Sequence, residues 1–341
     1  MSRLLFICVV MCAFLCCKKE TVVFKKEVNE VVIKPIVKDS LLNVRALEIY
    51  KGNVAIATSN GKTLLLEKGG KEFIELFQKD TIHNPNFRAL AYTDTSIFTI
   101  SIANPALLYK DGVLVYKEEH EKVFYDAIDF WNNEEGIAIG DTTDDCLSII
   151  ITRDGGETWI KISCDKLPKG KFGAFAASDT NIAIVGDKTW VATGGVKSTI
   201  LYSEDKGHIW NSFNTPIIQG EDTKGIYSID FYNENRGFAI GGDYTKPEAN
   251  FKNKMKTTDG GKTWQLVSEG KGPGYRSCVQ FVPTKQGQEL VAVGFNGIDY
   301  SKDFGETWQH LSDGSFYTLR FLNDSIAYAA GKGSVAQLKF K

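Results

Sequence analysis

Short apolar runs alternate with polar, glycine-containing turns along the chain from residue 44 to the C-terminus. Units open with runs such as VRALEIY at 44, FRALAYT at 87 and YDAIDFW at 125, and a second run such as VAIATSN or GFAIGGD ends in glycine or another small residue. Apolar runs of this length, bounded by turns, predict β-strands. Helical periodicity is lacking, so the pattern predicts an all-β fold.

An eight-residue phrase of the form Ser/Thr-x-Asp-x-Gly-x-Thr-Trp occurs four times, with Ile209 in place of the Thr in the second copy. It reads TRDGGETW, SEDKGHIW, TTDGGKTW and SKDFGETW, and its aspartates are Asp154, Asp205, Asp259 and Asp303. An apolar run precedes and follows each copy, which predicts a β-hairpin whose turn N–H groups are bound by the aspartate carboxylate. Copies about 50 residues apart are typical of the blades of a propeller.

The units together predict a seven-bladed β-propeller of four-stranded antiparallel blades over residues 30–341. The fourth unit is less regular, with TNIAIV at 180 and TWVATGG at 189 as its first two strands. The last unit shows only three strands, at 317–322, 325–330 and 334–340. The segment EVVIKPIV at 30–37 is expected to supply the missing outer strand and to close the ring, which removes an exposed sheet edge.

Residues 1–16 have the pattern of a lipoprotein signal peptide. Arg3 precedes an apolar run, Leu4–Leu15, that is too short to span a bilayer and ends at cysteines. Because the small Cys16 precedes it, Cys17 is the expected lipidation site, and residues 17–29 are the expected tether. The start CKKE at 17 resembles lipoproteins of the Bacteroidota, which implies attachment to the bacterial envelope, on its periplasmic or outer surface. An ordinary cleaved signal is the alternative.

Charge and cysteine content narrow the possible partners. The 40 basic and 42 acidic residues nearly balance and form no long block of like charge, so nucleic acid is not an expected partner. Cys146 and Cys164 are expected to face each other across the third hairpin and to form a disulfide, with two free thiols as the alternative. Cys278 is expected in the core. The scattered histidines predict no metal or cofactor site, and a monomer is expected.

Propeller geometry places the start of each inner strand and the end of each second strand at one mouth of the central channel, and the repeated turns on the opposite face. The side chains expected at this mouth are Arg45, Arg88, Tyr125, Tyr227, Arg276, Tyr317, Asp141 and Asp243. Arginines held in a rigid ring suit a carboxylate, a phosphate or an acidic peptide segment. The mouth is therefore expected to bind an anionic ligand or a protein segment, and pairing of each arginine with a neighbouring aspartate is the alternative.

The recurring phrase is identified as an Asp-box, or BNR repeat, which occurs in sialidase-like and other propellers. SIDFYNENRGFAIGGD at 228, followed by KTTDGGKTW at 256, resembles the seven-bladed assembly-factor family of photosystem II. This resemblance implies a non-catalytic propeller that binds a segment of a partner protein through an arginine patch. The patch would correspond to Arg45, Arg88 and Arg276, and the role carried over is protein binding or assembly.

A sialidase-like or other carbohydrate-active or glycan-binding propeller is the competing hypothesis. Sialidases hold a carboxylate with three arginines and use a tyrosine nucleophile. Tyr227 or Tyr317 would be that nucleophile here, and Asp141 or Asp243 the acid–base group. FRAL at 87 departs from the sialidase Phe-Arg-Ile-Pro signature. Dinucleotide and haem motifs are absent from the sequence, so an oxidoreductase is not expected.

Overall fold

The apolar runs form strands throughout the part of the chain that the computed structural model describes, residues 27–341. The predicted signal peptide and Cys17 lie outside these described residues. The strands, in chain order, are β1 (Val31–Tyr50), β2 (Asn53–Thr58), β3 (Thr63–Leu66), β4 (Ile74–Glu75), β5 (Phe87–Tyr92), β6 (Ile97–Ser101), β7 (Ala106–Lys110), β8 (Val113–Glu118), β9 (Tyr125–Phe130), β10 (Gly136–Thr142), β11 (Leu147–Thr152), β12 (Ile160–Lys161), β13 (Ile182–Val185), β14 (Lys188–Ala192), β15 (Thr199–Ser203), β16 (Asn211–Asn214), β17 (Lys224–Phe231), β18 (Gly237–Asp243), β19 (Lys254–Thr257), β20 (Gln265–Leu266), β21 (Cys278–Phe281), β22 (Leu290–Gly294), β23 (Gly297–Ser301), β24 (Gln309–Ser312), β25 (Thr318–Phe321), β26 (Ile326–Ala330) and β27 (Lys332–Phe340). One 3-10 helix, Cys164–Lys166, follows β12. Within 27–341, no helix has the length and apolar character needed to cross a membrane.

Consecutive groups of four strands form antiparallel blades, each with its first strand nearest the central axis. Blades 2 to 6 are five separate sheets, β5–β8, β9–β12, β13–β16, β17–β20 and β21–β24. Blades 1 and 7 share one sheet with the order β25-β26-β27-β1-β2-β3-β4. The seven-bladed all-β fold that the sequence predicts is confirmed.

The long strand β1 belongs to two blades. Its first part pairs antiparallel with β27, from Val31 opposite Phe340 to Lys38 opposite Ser334, and is the outer strand of blade 7. Its second part pairs with β2 and is the inner strand of blade 1. The predicted pairing of residues 30–37 is therefore present. Just before this strand, the Asn29 N–H donates to the Lys341 carbonyl at 2.8 Å.

Apolar clusters fill the space between neighbouring blades. Blades 2 and 3 meet through Phe98 and Trp159, and blades 3 and 4 through Ile149 and Val191. Blade 7 packs on blade 1 in the same way, where Tyr328 contacts a cluster of buried aliphatic side chains that includes Leu47 and Ile56. Burial between blades, rather than within one sheet, is thus what holds the propeller together.

The repeated turns join the third and fourth strands of blades 3 to 6, on the face opposite to the inner-strand starts. In the first copy, Asp154 Oδ1 accepts the Thr158 N–H at 2.9 Å and Oδ2 accepts the Thr158 hydroxyl at 2.6 Å. Thr152 Oγ1 accepts the Gly156 N–H at 2.9 Å. The hydrogen bond from the Thr158 hydroxyl, followed by that from the Thr158 N–H, lowers the pKa of Asp154. The same contacts recur around Asp259 and Asp303.

The turns also bind neighbouring blades. A Cβ atom on Gly156 would lie 2.2 Å from the Phe98 ring of blade 2, and one on Gly305 would lie 2.2 Å from the Phe238 ring of blade 5. Both glycines have a φ near +80°, at +82° and +81°, which other residues rarely adopt. Glycine at this position therefore allows the turn to lie directly on an aromatic ring of the preceding blade.

The predicted disulfide between Cys146 and Cys164 is present, with Cα atoms 5.5 Å apart. Its surroundings differ from the prediction, because Cys164 lies in the 3-10 helix and not in a hairpin strand. The strand β12 is short, and its pairing places Ile151 opposite Ile160. Cys278 is free and buried, as expected.

Disrupting the packing of the outer strand of blade 7 should destabilise the domain. Ile33 packs into the cluster between blades 6 and 7, whereas the adjacent Lys34 is exposed. We expect Ile33→Asp to lower the free energy of unfolding by about 1–3 kcal/mol, because it places a charge against apolar side chains. Lys34→Asp should change it by less than about 0.5 kcal/mol. Urea titration of both variants measures the difference, and equal stabilities would contradict closure of the ring by this strand.

Candidate binding cleft

Blade 4 sends a segment of chain into the central channel before its inner strand begins. We call residues 176–181 the axial segment. All six residues are buried. The Ser178 hydroxyl donates to the Ser277 carbonyl of blade 6 at 2.6 Å, and the Ser178 carbonyl accepts from the Thr318 hydroxyl of blade 7 at 2.8 Å. The Thr180 carbonyl accepts the Ile229 N–H of blade 5 at 2.9 Å. The axial segment therefore joins inner strands that are far apart in sequence.

Asp179 is the centre of these contacts. Its carboxylate accepts the Leu90 N–H of blade 2 at 2.7 Å and the Ile128 N–H of blade 3 at 3.1 Å. Its backbone carbonyl accepts from Arg320 of blade 7 at 3.0 Å. Burial raises the pKa of Asp179 well above its usual value, although the Arg320 charge and the two N–H donors act in the opposite direction. One side chain thus binds the free edges of two inner strands.

An open cleft of about 910 Å³ lies above the axial segment, at the mouth where the inner strands begin. Side chains from every blade contribute to it. Its lining is Arg45, Arg88, Lys122, Phe124, Asp141, Thr142, Asp144, Lys171, Phe172, Gly173, Ala174, Phe175, Ala176, Ala177, Gly195, Val196, Asp222, Tyr227, Tyr244, Tyr275, Phe295 and Tyr317. Of the residues predicted from the sequence, Arg45, Arg88, Tyr227, Tyr317 and Asp141 are brought together here.

Bulges at the start of the inner strands direct several of these side chains. The pairing shifts register between Val44 and Ala46, so that Arg45 is the extra residue, and Arg88 and Tyr227 are the extra residues of blades 2 and 5. A bulge re-orients one side chain relative to the alternation of its strand, and such bulges often occur next to binding sites.

The two arginines form a basic floor without an ionic partner. Arg45 donates to the Ala177 carbonyl at 3.2 Å, and Arg88 to the Ala176 carbonyl at 3.4 Å and to Asn86 at 3.2 Å. Within residues 27–341, neither guanidinium has an ion-pair contact with a carboxylate, and the buried Arg45 Nε has no hydrogen-bond acceptor. Burial and the charge of Arg45 lower the pKa of Arg88 to about 10. The neighbouring Tyr317 and Asp126 act in the opposite direction. The floor carries positive charge and faces the open cleft.

An aromatic wall, which consists of Phe175, Tyr227, Tyr244, Tyr275 and Phe295, forms the side of the cleft contributed by blades 5 and 6. Phe175 of the fourth-blade loop stacks on Tyr227 with ring centroids 3.8 Å apart. Tyr275 meets Tyr227 edge-on at 4.7 Å and lies 5.3 Å from Phe295. Rings that pack against each other in this way are rigid, so they offer contact area at low entropic cost.

Tyr317 lies between the floor and the wall. The Arg45 guanidinium lies over its ring, 4.0 Å from the centroid. Burial lowers the pKa of Arg45, while the neighbouring Tyr317 and Tyr275 raise it. This cation–π contact fixes the orientation of the guanidinium without neutralising it.

Arg276 does not line the cleft, which corrects the sequence prediction. Its guanidinium is buried and forms an ion pair with Asp299 at 2.6 Å, and it also donates to the Tyr275 and Asn296 carbonyls. The alternative stated for the arginines, pairing with a neighbouring aspartate, therefore holds at this position. Of the arginines in residues 27–341, only Arg45 and Arg88 line the cleft, so this part of the chain does not assemble the three-arginine clamp of the sialidase hypothesis.

Tyr125 and Asp243 also lie outside the cleft. The bulge in blade 3 falls at Asp126, so Tyr125 is buried between blades and its hydroxyl donates to Glu118 at 2.8 Å. Asp243 is buried and accepts from the Thr245 hydroxyl at 2.6 Å and the Thr245 N–H at 3.0 Å. The sequence correctly places the strands of Tyr125 and Asp243 at the mouth, but it does not show which side chains of these strands point into the cleft.

Asp141 lies in the cleft with a role different from that of a free carboxylate. Its Oδ1 accepts the Ala174 N–H at 2.8 Å, which holds the loop that leads into the axial segment. Burial raises the pKa of Asp141 to about 6, against the opposing effect of this hydrogen bond. We interpret it as a residue that positions the loop.

A smaller chamber of about 220 Å³ lies on the axis below Asp179. It is lined by the carboxyl groups of Glu48, Asp129 and Asp230 and by Arg320, which pairs with Glu48 at 2.6 Å. Burial and the charge of Glu48 raise the pKa of Asp129 to about 7, and burial raises that of Asp230 to about 6. Within residues 27–341, no group of histidine, cysteine and acidic residues has the geometry of a metal site.

Comparison with known proteins identifies the fold. No family model matches the chain, and no curated protein matches it in sequence. A structure of YCF48 bound to D1 peptide has a TM-score of 0.63 at 12% identity, over 92% of this chain and 98% of that chain. YCF48 from Cyanidioschyzon merolae has a TM-score of 0.65 at 11% identity, over 91% and 99%. The RRP9 WD40 repeats have a TM-score of 0.63 at 10% identity, over 92% and 98%. The chain is a β-propeller.

Loss of the Asp179 carboxylate should destabilise the propeller. Asp179→Ala leaves two buried N–H groups without an acceptor, and we expect the free energy of unfolding to fall by about 2–5 kcal/mol. The matched control is Asp187→Ala, in an exposed turn of the same blade, which should change it by less than about 1 kcal/mol. Chemical denaturation of both variants measures the effect. An Asp179→Ala protein as stable as the control would show that the axial segment does not support the blades.

Proposed function

We propose that this chain is a non-catalytic propeller that binds a segment of a partner protein in the axial cleft, in an assembly or scaffold role. The observation that carries the proposal is the pair Arg45 and Arg88, whose guanidiniums lie at the floor of an open cleft and form no ion pair with any of residues 27–341. A partly desolvated charge without a partner costs free energy. A bound ligand of opposite charge would offset this cost.

The size and shape of the cleft fit a peptide segment. A volume of about 910 Å³ is at the upper end of the range for ligand pockets, and the mouth is open. YCF48 has a similar fold and has been solved with a D1 peptide, which supports peptide binding as a use of this architecture. No such observation favours the glycosidase hypothesis, since Arg276 is occupied by Asp299.

We further propose that a lipid on Cys17 attaches the domain to the bacterial envelope, as the N-terminal sequence pattern suggests. Wild-type protein made in a bacterium should partition into the detergent phase of a Triton X-114 extraction. Cys17→Ser should partition into the aqueous phase, because it lacks the acceptor thiol. Cys16→Ser is the control and should stay in the detergent phase, since serine is also small. A Cys17→Ser protein that keeps its lipid would place the anchor elsewhere.

Peptide binding can be tested with a random peptide library displayed on phage. We expect the wild-type domain to enrich peptides, and Arg45→Ala and Arg88→Ala each to weaken them by about 2–5 kcal/mol, the cost of losing one partner of a buried charge pair. Isothermal titration with synthetic copies of the enriched peptides measures this.

Two controls separate binding from folding. Arg153→Ala changes an arginine within the first repeated turn, on the opposite face, where it pairs with Glu135, and should leave affinity unchanged. Asp259→Ala should lower stability by about 1–3 kcal/mol while the folded fraction keeps its affinity. Enriched peptides that bind Arg45→Ala and Arg88→Ala at full affinity would show that the cleft is not the binding site.

A further inference from the structure

The cleft has two chemically different sides. Arg45 and Arg88 come from blades 1 and 2, and Lys122 precedes the inner strand of blade 3. The aromatic wall comes mainly from blades 5 and 6. In a seven-bladed ring, blades 5 and 6 lie across the axis from blade 2. A segment lying across the mouth therefore has the basic floor at one end and aromatic rings at the other.

The accessible part of the aromatic wall is formed by two rings. Tyr244 is 48% exposed and Phe295 is 36% exposed, while Tyr227 and Tyr275 beneath them are only 2% and 4% exposed. Val196, which is 61% exposed, lies at the same mouth. Exposed rings supported by buried rings form a preorganised apolar surface. Such a surface is expected to bind an aromatic or large aliphatic side chain.

The acidic side chains at the rim of the cleft are exposed to solvent, whereas the arginines of the floor are partly buried. The acidic side chains at the rim, Asp144 and Asp222, are exposed to solvent, so water and salt screen them. The guanidiniums of Arg45 and Arg88 are partly buried on the carbonyl groups of the axial segment, where electrostatic interactions are stronger. Asp141, the remaining carboxylate of the lining, accepts the Ala174 N–H. Within residues 27–341 the floor therefore favours negative charge, although both signs occur in the lining.

We infer that the cleft recognises a two-part motif, an acidic side chain close to an aromatic or large aliphatic side chain in an extended segment. The acidic group would lie against Arg45 and Arg88, and the apolar group against Tyr244 and Phe295. This inference rests on the proposed function and adds the partner's chemistry. Segments with only the acidic group, or only the apolar group, bind weakly.

A peptide array tests the motif directly. The probes are short synthetic Gly–Ser peptides that contain one Asp and one Phe, with none to several residues between them. Matched peptides carry Asn in place of Asp, or Ser in place of Phe. We expect the wild-type domain to bind peptides of at least one spacing. Replacing Phe by Ser should weaken binding by about threefold or more, as the loss of an aromatic contact predicts. Replacing Asp by Asn should weaken it by about thirtyfold or more, as the loss of one partner of a partly buried charge pair predicts.

Double-mutant cycles assign each half of the motif to its side of the cleft. Phe295→Ala should weaken the Asp–Phe peptide about threefold to tenfold and leave the Asp–Ser peptide unaffected. Arg88→Ala should reduce the preference for Asp over Asn, because only Arg45 then faces the acidic group. Tyr244→Phe keeps the ring and should bind like the wild type, whereas Tyr244→Ala should resemble Phe295→Ala. Unchanged melting temperatures show that these variants fold.

The outcomes separate the inference from the proposed function. Binding that depends on Arg88 and Asp but not on Phe would overturn the two-part motif and leave peptide binding intact. Binding that depends on Phe alone would also overturn the motif. If no peptide of the array binds, and phage selection likewise enriches none, the proposed function is wrong as well. Binding of anionic vesicles or of RNA oligonucleotides in preference to every peptide would assign the cleft to another class of partner.

Discussion

The axial segment is the feature on which the rest of the structure depends. Inner strands of a propeller end each blade sheet, so their backbone N–H and C=O groups face the channel and need partners. Asp179 supplies an acceptor for Leu90 and Ile128 of blades 2 and 3. Elsewhere, side chains of the preceding blade do the same, since Ser228 accepts the Val279 N–H at 2.9 Å and Asp230 the Phe281 N–H at 2.7 Å. The channel is thus filled by polar contacts, while the apolar core lies between the blades.

The same segment builds the floor of the proposed binding cleft. Its Ala176 and Ala177 carbonyls hold the guanidiniums of Arg88 and Arg45 at the base of the mouth. These carbonyls orient the arginines without neutralising them, because a carbonyl accepts a hydrogen bond but carries no net charge. Stability and the proposed recognition therefore depend on the same short stretch of chain.

Much of the fold could be predicted from the sequence, because each blade repeats strand and turn signals. The irregular strands of blade 4 and the pairing of residues 30–37 were both predicted correctly from the repeat. The site was predicted only in part. Arg45 and Arg88 lie in the cleft, but Arg276 pairs with Asp299 and the adjacent Tyr275 takes its place.

A bulge explains why Tyr125 was wrongly placed. A bulge adds one residue to a strand and changes which side chain faces the axis, and no local sequence signal marked the bulge at residue 126. Arg276 is instead withdrawn from the cleft by its ion pair with Asp299. Tyr244 and Phe295 follow the second strands of blades 5 and 6, which the sequence predicts. Their position near the mouth could therefore have been predicted. The path of residues 176–181 through the channel could not be predicted from the sequence, because it depends on contacts with every other blade.

The double use of β1 has a consequence for how the chain folds. Val31 is among the first residues of the domain to be synthesised, yet its partner Phe340 is almost the last. Contacts of such long sequence separation form slowly, because the loop between them must first be closed. Until the C-terminus emerges, the first part of β1 has no neighbour and presents an unpaired strand to other chains. A nascent chain of this protein therefore needs protection of its N-terminal strand throughout synthesis, and a chain that stops before β27 retains that strand as a permanent site for aggregation.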